Sequence, residues 1–259
     1  MKSLEGKVAI VTGASRGIGH AIALRLASDG ASLVLCARDV PLLNQTARQI
    51  ESMGAAACIV ARDLRLPDAG QHAIDAAVAR FGAIDILVNN AGATKRGEFE
   101  ALTEDDWMDG FALKLFGAVR LARAAWPYLR QRSGSLINIA GSGGRTPGAQ
   151  FAIGGSVNAA LLSFTKALAD LGLRAGVQVN AVNPGPVRTA RFETRLRQTA
   201  AEHGVDLAAA LDIFIRDEKV ARVGEPEDIA ALVSFILSPH GRLLHGSLID
   251  ADGGLTKTI

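Results

Sequence analysis

Short apolar runs alternate along this chain with longer stretches of helical periodicity. The runs predict strands at Val8–Val11, Ser32–Ala37, Ala57–Ala61, Ile84–Val88, Ser135–Ile139, Val177–Val182 and Leu248–Ala251. They are apolar nearly throughout and rich in Val and Ile. That is the pattern of strands covered on both faces, as in a parallel sheet. The longer stretches predict helices at Gly17–Ser28, Pro41–Met53, Asp68–Arg80, Glu104–Arg130, Ala152–Leu173 and Pro226–Leu237. Asp39 ahead of Pro41, Thr103 ahead of acids, and Pro226 followed by Glu227 and Asp228 are helix-start signals.

Strand–helix alternation over the whole length predicts one α/β domain, residues 1–259, doubly wound in the Rossmann manner. About seven parallel strands would carry helices on both faces. The segment 189–223 breaks the rhythm. It holds helical stretches (Arg191–Glu202 and Leu207–Asp217) but no strand. A long insertion at the carboxyl ends of the strands is expected to cover a ligand site, here that of a substrate.

Composition narrows the partners. The 259 residues are 49% hydrophobic and carry 28 basic and 26 acidic side chains. A net charge of +2 gives no drive toward nucleic acid or anionic membrane. The apolar run Ile229–Leu237 falls far short of the ~20 residues that span a bilayer. Met1–Ala9 lacks the apolar core of a secretory leader. A cytoplasmic protein is expected. Cys36 and Cys58 form neither a disulfide framework nor a zinc pattern, and both are expected to be buried thiols. The five histidines show no metal-ligand spacing, so no metal site is expected.

The strongest local signal is Thr12-Gly13-Ala14-Ser15-Arg16-Gly17-Ile18-Gly19. It follows the first strand and opens the first helix. Glycines there permit a tight turn and close approach to a pyrophosphate, which the free amides of the helix N-terminus hold. The spacing of these glycines resembles the short-chain dehydrogenase/reductase family. Asn89-Asn90-Ala91-Gly92 after the fourth strand resembles that family's NNAG. Asn183-Pro184-Gly185-Pro186-Val187-Arg188-Thr189 resembles its PG motif with a following Thr. Arg222–Ile229 and Asp252-Gly253-Gly254 resemble its C-terminal signatures.

The resemblance implies a nucleotide site. The turn residues Gly13, Ser15, Arg16, Gly17, Ile18 and Gly19 would hold the pyrophosphate side, and Asp63 and Leu64 would line the adenine. Asn90, Ala91 and Gly92 would run along the ribose and pyrophosphate. Pro184, Gly185, Val187 and Thr189 would border the nicotinamide. The second strand ends at Ala37-Arg38, without the carboxylate that binds a ribose 2′-hydroxyl. Arg38 and Arg16 are suited to a 2′-phosphate, so the expected cofactor is NADP(H). Asp39 reads as the cap of the next helix.

The resemblance also implies a catalytic set of Asn, Ser, Tyr and Lys. Counting back from Phe164-Thr165-Lys166-Ala167-Leu168-Ala169 puts Gly154 where the Tyr belongs and Asn158 where the Lys belongs. The chain's one tyrosine, Tyr128, is far upstream. The Ser position falls on Gly141, with Ser142 next. Seven residues after Trp107, the Asn position holds Lys114. The exchange suggests that Lys114 and Asn158 face each other on swapped scaffolds. Lys114 would reach the volume left by Gly154, its pKa lowered by burial. Candidate catalytic residues are therefore Lys114, Ser142 and Asn158. Lys95 and Arg96 are read as solvated loop charges or as contacts to an acidic substrate.

Two functions follow. One is an NADP(H)-dependent oxidoreductase with a non-standard site, acting on a small carbonyl, alcohol, enone or imine. The other is a silent NADP(H)-binding regulator, sensor or partner subunit. The resemblance further implies a homo-oligomer, a tetramer or dimer.

Overall fold

The computed structural model describes residues 2–258. Seven strands run as β1 (Val8–Thr12), β2 (Ser32–Ala37), β3 (Ala57–Ala61), β4 (Ile86–Asn89), β5 (Ser135–Ile139), β6 (Gln178–Pro184) and β7 (Leu248–Ala251). All pairings are parallel, in the order β3-β2-β1-β4-β5-β6-β7. The strand order reverses between β1 and β4. A crevice opens there at the carboxyl ends of the strands, where open α/β sheets bind ligands. The helices are α1 (Gly17–Ser28), α2 (Val40–Ser52), α3 (Ala69–Phe81), α4 (Glu104–Gly110), α5 (Gly117–Gln131), α6 (Ala152–Ala175), α7 (Ala190–His203), α8 (Leu207–Glu218) and α9 (Pro226–Leu237).

The uniform apolarity of the strands has the cause that was expected. Ala9, Val11, Leu33 and Leu35 point to one face, into a core shared with Ile22 and Leu26 of α1, Ile50 of α2, and Ile229 and Val233 of α9. Ile10, Val34 and Cys36 point to the other, against Ile74 of α3 and Leu121 and Leu129 of α5. Cys36 is buried, and burial pushes its thiol up to about 12. Cys58 is only half-buried, which corrects the expectation of two buried thiols.

Two elements depart from the sequence pattern. β4 begins at Ile86 rather than Ile84, and Asp85 ties its start to both neighbours: its amide donates to Val8 O (2.9 Å) and its carbonyl accepts from the Ser135 amide (2.9 Å). Its buried carboxylate accepts from Lys7 (3.1 Å), Arg132 (3.0 Å) and the Val8 amide (3.0 Å). The single helix expected over Glu104–Arg130 is broken by a π turn, Phe111–Phe116, between α4 and α5. The Gly117 amide donates to the Ala112 carbonyl, five residues back. Such turns insert an extra residue and re-aim the side chains around it. Thr103 and Asp106 close a capping box at the start of α4, and Asp39 caps α2 through the Leu42 amide.

Residues 149–175, α6 with its leading turn, are long and apolar enough to cross a membrane by length and composition. In this fold the helix lies against the sheet, with Leu161 and Leu162 packed on Ala181 of β6. Helices α7 and α8 pack on each other around Phe192, Leu196, Ala210, Phe214 and Val223, a small apolar cluster of their own.

Candidate functional site

The glycine-rich turn is built from the backbone outward. Gly13 and Gly17 sit at φ +66° and +57°, a region that disfavours side chains. A Cβ on Gly13 would lie 2.8 Å from Asn90 Nδ2, and one on Gly19 would collide with the Gly13 carbonyl. The turn is thus pressed onto the end of β4. Thr12 fastens the two: its hydroxyl accepts from the Asn90 and Ala91 amides (2.9 Å each), and Asn90 Nδ2 donates to Thr12 O (2.9 Å). No side chain caps α1 and no acid lies in its first turn, so its leading amides are left to bind an anion. These residues form a cradle that fits a dinucleotide diphosphate.

The two arginines expected at a 2′-phosphate stand at the rim of this cradle. Arg16 is 68% exposed and lies 3.7 Å from Asp39. Arg38 is 65% exposed and lies 3.4 Å from Asp63. Both contacts are solvated and weak, so an incoming phosphate can compete for either guanidinium. Burial tends to raise the Asp63 carboxyl, but the bonds from Arg65 and its charge, with that of Arg38, hold it below the usual range. Leu64 is buried beside it. Thr189 closes the far end of the crevice. Its hydroxyl caps α7 through the Phe192 amide, and its methyl is 3.2 Å from the place of a Cβ on Gly17. Val187 is buried and bridges to Gly224, while the Gly185 amide bonds Ala251 O. Ser15 and Ile18 flank the cradle, buried and half-buried respectively.

The chemical end is assembled from distant segments. Lys114 projects from the π turn across Gly92: its Cδ stands 2.8 Å from where a Gly92 Cβ would be. Its ammonium donates to the Ala140 carbonyl at 2.5 Å. Burial, and then the charge of Arg191, lower its pKa to about 7, although part of the residue still touches solvent. Asn158 of α6 is 3% exposed, and its Nδ2 is 2.9 Å from the place of a Gly141 Cβ. Its Oδ1 is buried without a partner. Lys114 and Asn158 therefore meet at consecutive residues, Ala140 and Gly141, beyond β5. Ser142, buried at 9% exposure, begins the next turn.

One expectation is overturned. Lys114 does not enter the volume left by Gly154. The Phe151 ring fills it: a Cβ on Gly154 would clash with the ring at its Cζ, and one on Gly143 would be 2.9 Å from the ring. Phe151 precedes α6 by one residue and folds back over its first turn. A large aromatic three residues before a glycine at a helix start was the signal for this contact. Arg191 was also missed. Its Nη2 donates to Gly92 O at 3.0 Å, tying α7 to the end of β4. A cation in a helix's first turn opposes the helix dipole, which marks it for another task. Of the other residues near the site, Lys95 pairs with Asp106 at 2.8 Å, and Arg145 turns to Asp250 at 3.2 Å.

Known proteins share this framework. A family model described as short chain dehydrogenase matches residues 7–200. An uncharacterized oxidoreductase of Mycobacterium tuberculosis is 37% identical over 258 residues, covering 99% of this chain and 94% of its own. The 3-oxoacyl-(acyl-carrier-protein) reductase of Vibrio cholerae is 32% identical, covering 98% of each chain. The crystal structure of L-sorbose reductase from Gluconobacter frateurii, complexed with NADPH and L-sorbose, superposes with a TM-score of 0.95. It is 33% identical, with complete coverage of both chains. The glycine-rich cradle locked to β4, the seven-stranded order and these full-length likenesses agree: the chain belongs to the short-chain dehydrogenase family.

Proposed function

We propose that this chain is an NADP(H)-dependent oxidoreductase in which Lys114 carries the proton that a tyrosine would otherwise carry. The observation behind this reading is the ammonium on Ala140 O, laid across Gly92, with a pKa of about 7. A general acid or base works best with a pKa near the operating pH. The substrate is a small organic carbonyl or the matching alcohol, with enones and imines as the other acceptors.

In this reading Arg16 and Arg38 grip the 2′-phosphate through charge-assisted bonds. Asp63 and Leu64 border the adenine. Asn90, Ala91 and Gly92 follow the ribose, while Gly13, Ser15, Gly17, Ile18 and Gly19 receive the diphosphate. Pro184, Gly185, Val187 and Thr189 line the nicotinamide. When bound, the nicotinamide supplies or accepts a hydride. Lys114 hands its proton to the substrate oxygen as negative charge develops there, and takes it back in the reverse direction. Asn158 and Ser142 orient that oxygen, Asn158 by donating from Nδ2, which lies beside Gly141, and Ser142 by donating from its hydroxyl. The segment 189–223, with its own apolar cluster, covers the substrate and keeps water from it. The same reading carries a cytoplasmic homo-oligomer, tetramer or dimer, for which exposed Met108 and Phe116 on the α4–α5 face are suitable contacts.

Lys114→Met tests this directly. NADPH oxidation, screened over ketones, enones and imines, is expected to fall by about 10²–10⁴. NADPH binding, read by fluorescence titration, should stay within about threefold. Turnover at the wild-type rate would overturn the role of Lys114. One observation favours the silent binder as a second reading: Phe151 occupies the space above Gly154. NADPH binding without oxidation of any probe by the wild type would select it.

A further inference from the structure

Cations around the crevice outnumber the acids that face them. Arg96 follows the Asn90–Gly92 turn, and its guanidinium stacks 4.0 Å from the centroid of the Phe151 ring. Its loop is pinned to the one before α6. The Gly97 amide donates to Gln150 O (3.1 Å), and Gln150 Nε2 donates to Glu98 (2.9 Å). Neighbouring Lys95 turns away to Asp106. Arg195 of α7 stacks on Phe214 and pairs with Glu218. Arg191 lies between, on Gly92 O. Among the described residues, neither Arg96 nor Arg191 forms an ion pair, and Glu218 is the one acid whose charge bears on Arg96.

The field around each arginine tells them apart. Arg96 is exposed at the rim, yet the protein packed beneath it and then the charges of Arg195 and Arg191, against Glu218, hold it below the usual guanidinium range. Burial and then Arg16 do the same to Arg191. Arg191 thus faces the cradle side, where the reading above puts a diphosphate. Arg96 lies on the Phe151 ring, within the field of Arg195 and Glu218 of α7 and α8. Like charges gathered from separate segments repel, and a bound anion offsets that repulsion. A guanidinium with one face fixed on an aromatic ring keeps its planar edge of donors for a carboxylate, with little left to order.

We propose that Arg96, stacked on Phe151 and backed by Arg195, anchors the carboxylate of an organic-acid substrate whose reacting carbon faces Lys114. The assignment rests on the oxidoreductase reading. It makes the enzyme one that reduces oxo acids, or oxidises hydroxy acids, rather than neutral carbonyls.

Paired probes test it. NADPH oxidation is compared for pyruvate and methyl pyruvate, acetoacetate and methyl acetoacetate, levulinate and methyl levulinate. Each pair is run with wild type, Arg96→Gln and Lys95→Gln. The acids should exceed their esters in kcat/KM. Arg96→Gln should lower the acid-to-ester ratio roughly tenfold to a hundredfold, chiefly through KM, as for loss of a charge-assisted bond. Lys95→Gln should leave the ratio unchanged. Calorimetry of benzoate and benzamide on the NADP⁺-saturated protein is the readout without turnover. Benzoate should bind more tightly, and the difference should vanish in Arg96→Gln. Esters turned over as well as acids, with a ratio that Arg96→Gln does not move, would overturn the anchor while leaving the oxidoreductase reading intact. Arg96-dependent benzoate binding with no NADPH oxidation by any probe would overturn that reading and keep the anchor. Loss of both signals overturns both. A preference for dihydroxyacetone phosphate over every acid overturns the assignment to a carboxylate.

Discussion

The two ends of the crevice are built on different principles. At the cradle, neighbouring backbone does the work. Thr12, Gly13 and Gly19 meet Asn90 and Ala91 across two strand ends that are paired in the sheet, and the Thr12 hydroxyl and carbonyl hold the Asn90 and Ala91 amides and the Asn90 side chain. At the chemical end, side chains from a π turn, the β5 terminus and α6 converge. Polar groups there are left over: Asn158 Oδ1 has no partner, and Lys114 is held against desolvation by one carbonyl. The first kind of site is set by short motifs on fixed elements. The second depends on where three remote segments happen to aim.

This contrast can be broken by experiment. The largest effect belongs to Lys114→Met, with its expected loss of about 10²–10⁴ in turnover against an almost unchanged NADPH affinity. A comparable fall in NADPH affinity would mean that the two ends are not separable. Next comes the cradle itself. The double variant Arg16→Gln, Arg38→Gln should weaken NADPH binding roughly tenfold to a hundredfold, and NADH binding by far less, measured by fluorescence titration. Equal weakening of both would remove the arginines from the 2′-phosphate.

The pH profile gives a tenfold change per unit. Below about 7 Lys114 is protonated and can donate, so kcat/KM for reduction should be flat there and fall as pH rises above it. The oxidation direction should show the opposite limb. Stability follows the same group. An unfolded lysine keeps its proton up to about 10.4. Between pH 7 and that value the unfolded chain binds more protons, so wild type should gain stability with pH relative to Lys114→Met. Urea midpoints at pH 6.5 and 9.5 check the sign.

The smallest effect concerns Gly154 and Phe151. Gly154→Ala should destabilise the wild type by displacing the ring. In a Phe151→Ala background it should be neutral or stabilising, by up to ~1 kcal/mol of helix propensity. A double-mutant cycle in urea reads the difference, and additive effects would separate the two residues.

Much of this molecule is legible from its letters. Uniform Val and Ile runs gave away a buried parallel sheet, and Asp39 and Thr103 announced the helices they cap. The cradle was legible because glycine spacing and the Asn90 motif are local. The burial of the Asp85 carboxylate at the start of β4 was not, since its partners Lys7 and Arg132 carry no sequence mark pointing to it. The position of Lys114 could be counted from Trp107, but its direction depends on a π turn that apolar periodicity does not register. The bond of Arg191 to Gly92 spans 99 positions and is set by the packing of α7.

The ring of Phe151 over Gly154 has a further meaning when sequences are thought of as steps along a path. A tyrosine at 154 needs a Cβ where the ring now lies, so the substitution meets a clash before its hydroxyl can be useful. Shrinking residue 151 first removes the seat of Arg96 and leaves the ring's space unfilled until residue 154 changes in turn. Either order passes through a poorer protein. A tyrosine-based site would take both changes at once, and would leave Lys114 without the role proposed for it. The contact acts as a ratchet, holding the chain to the lysine chemistry we propose.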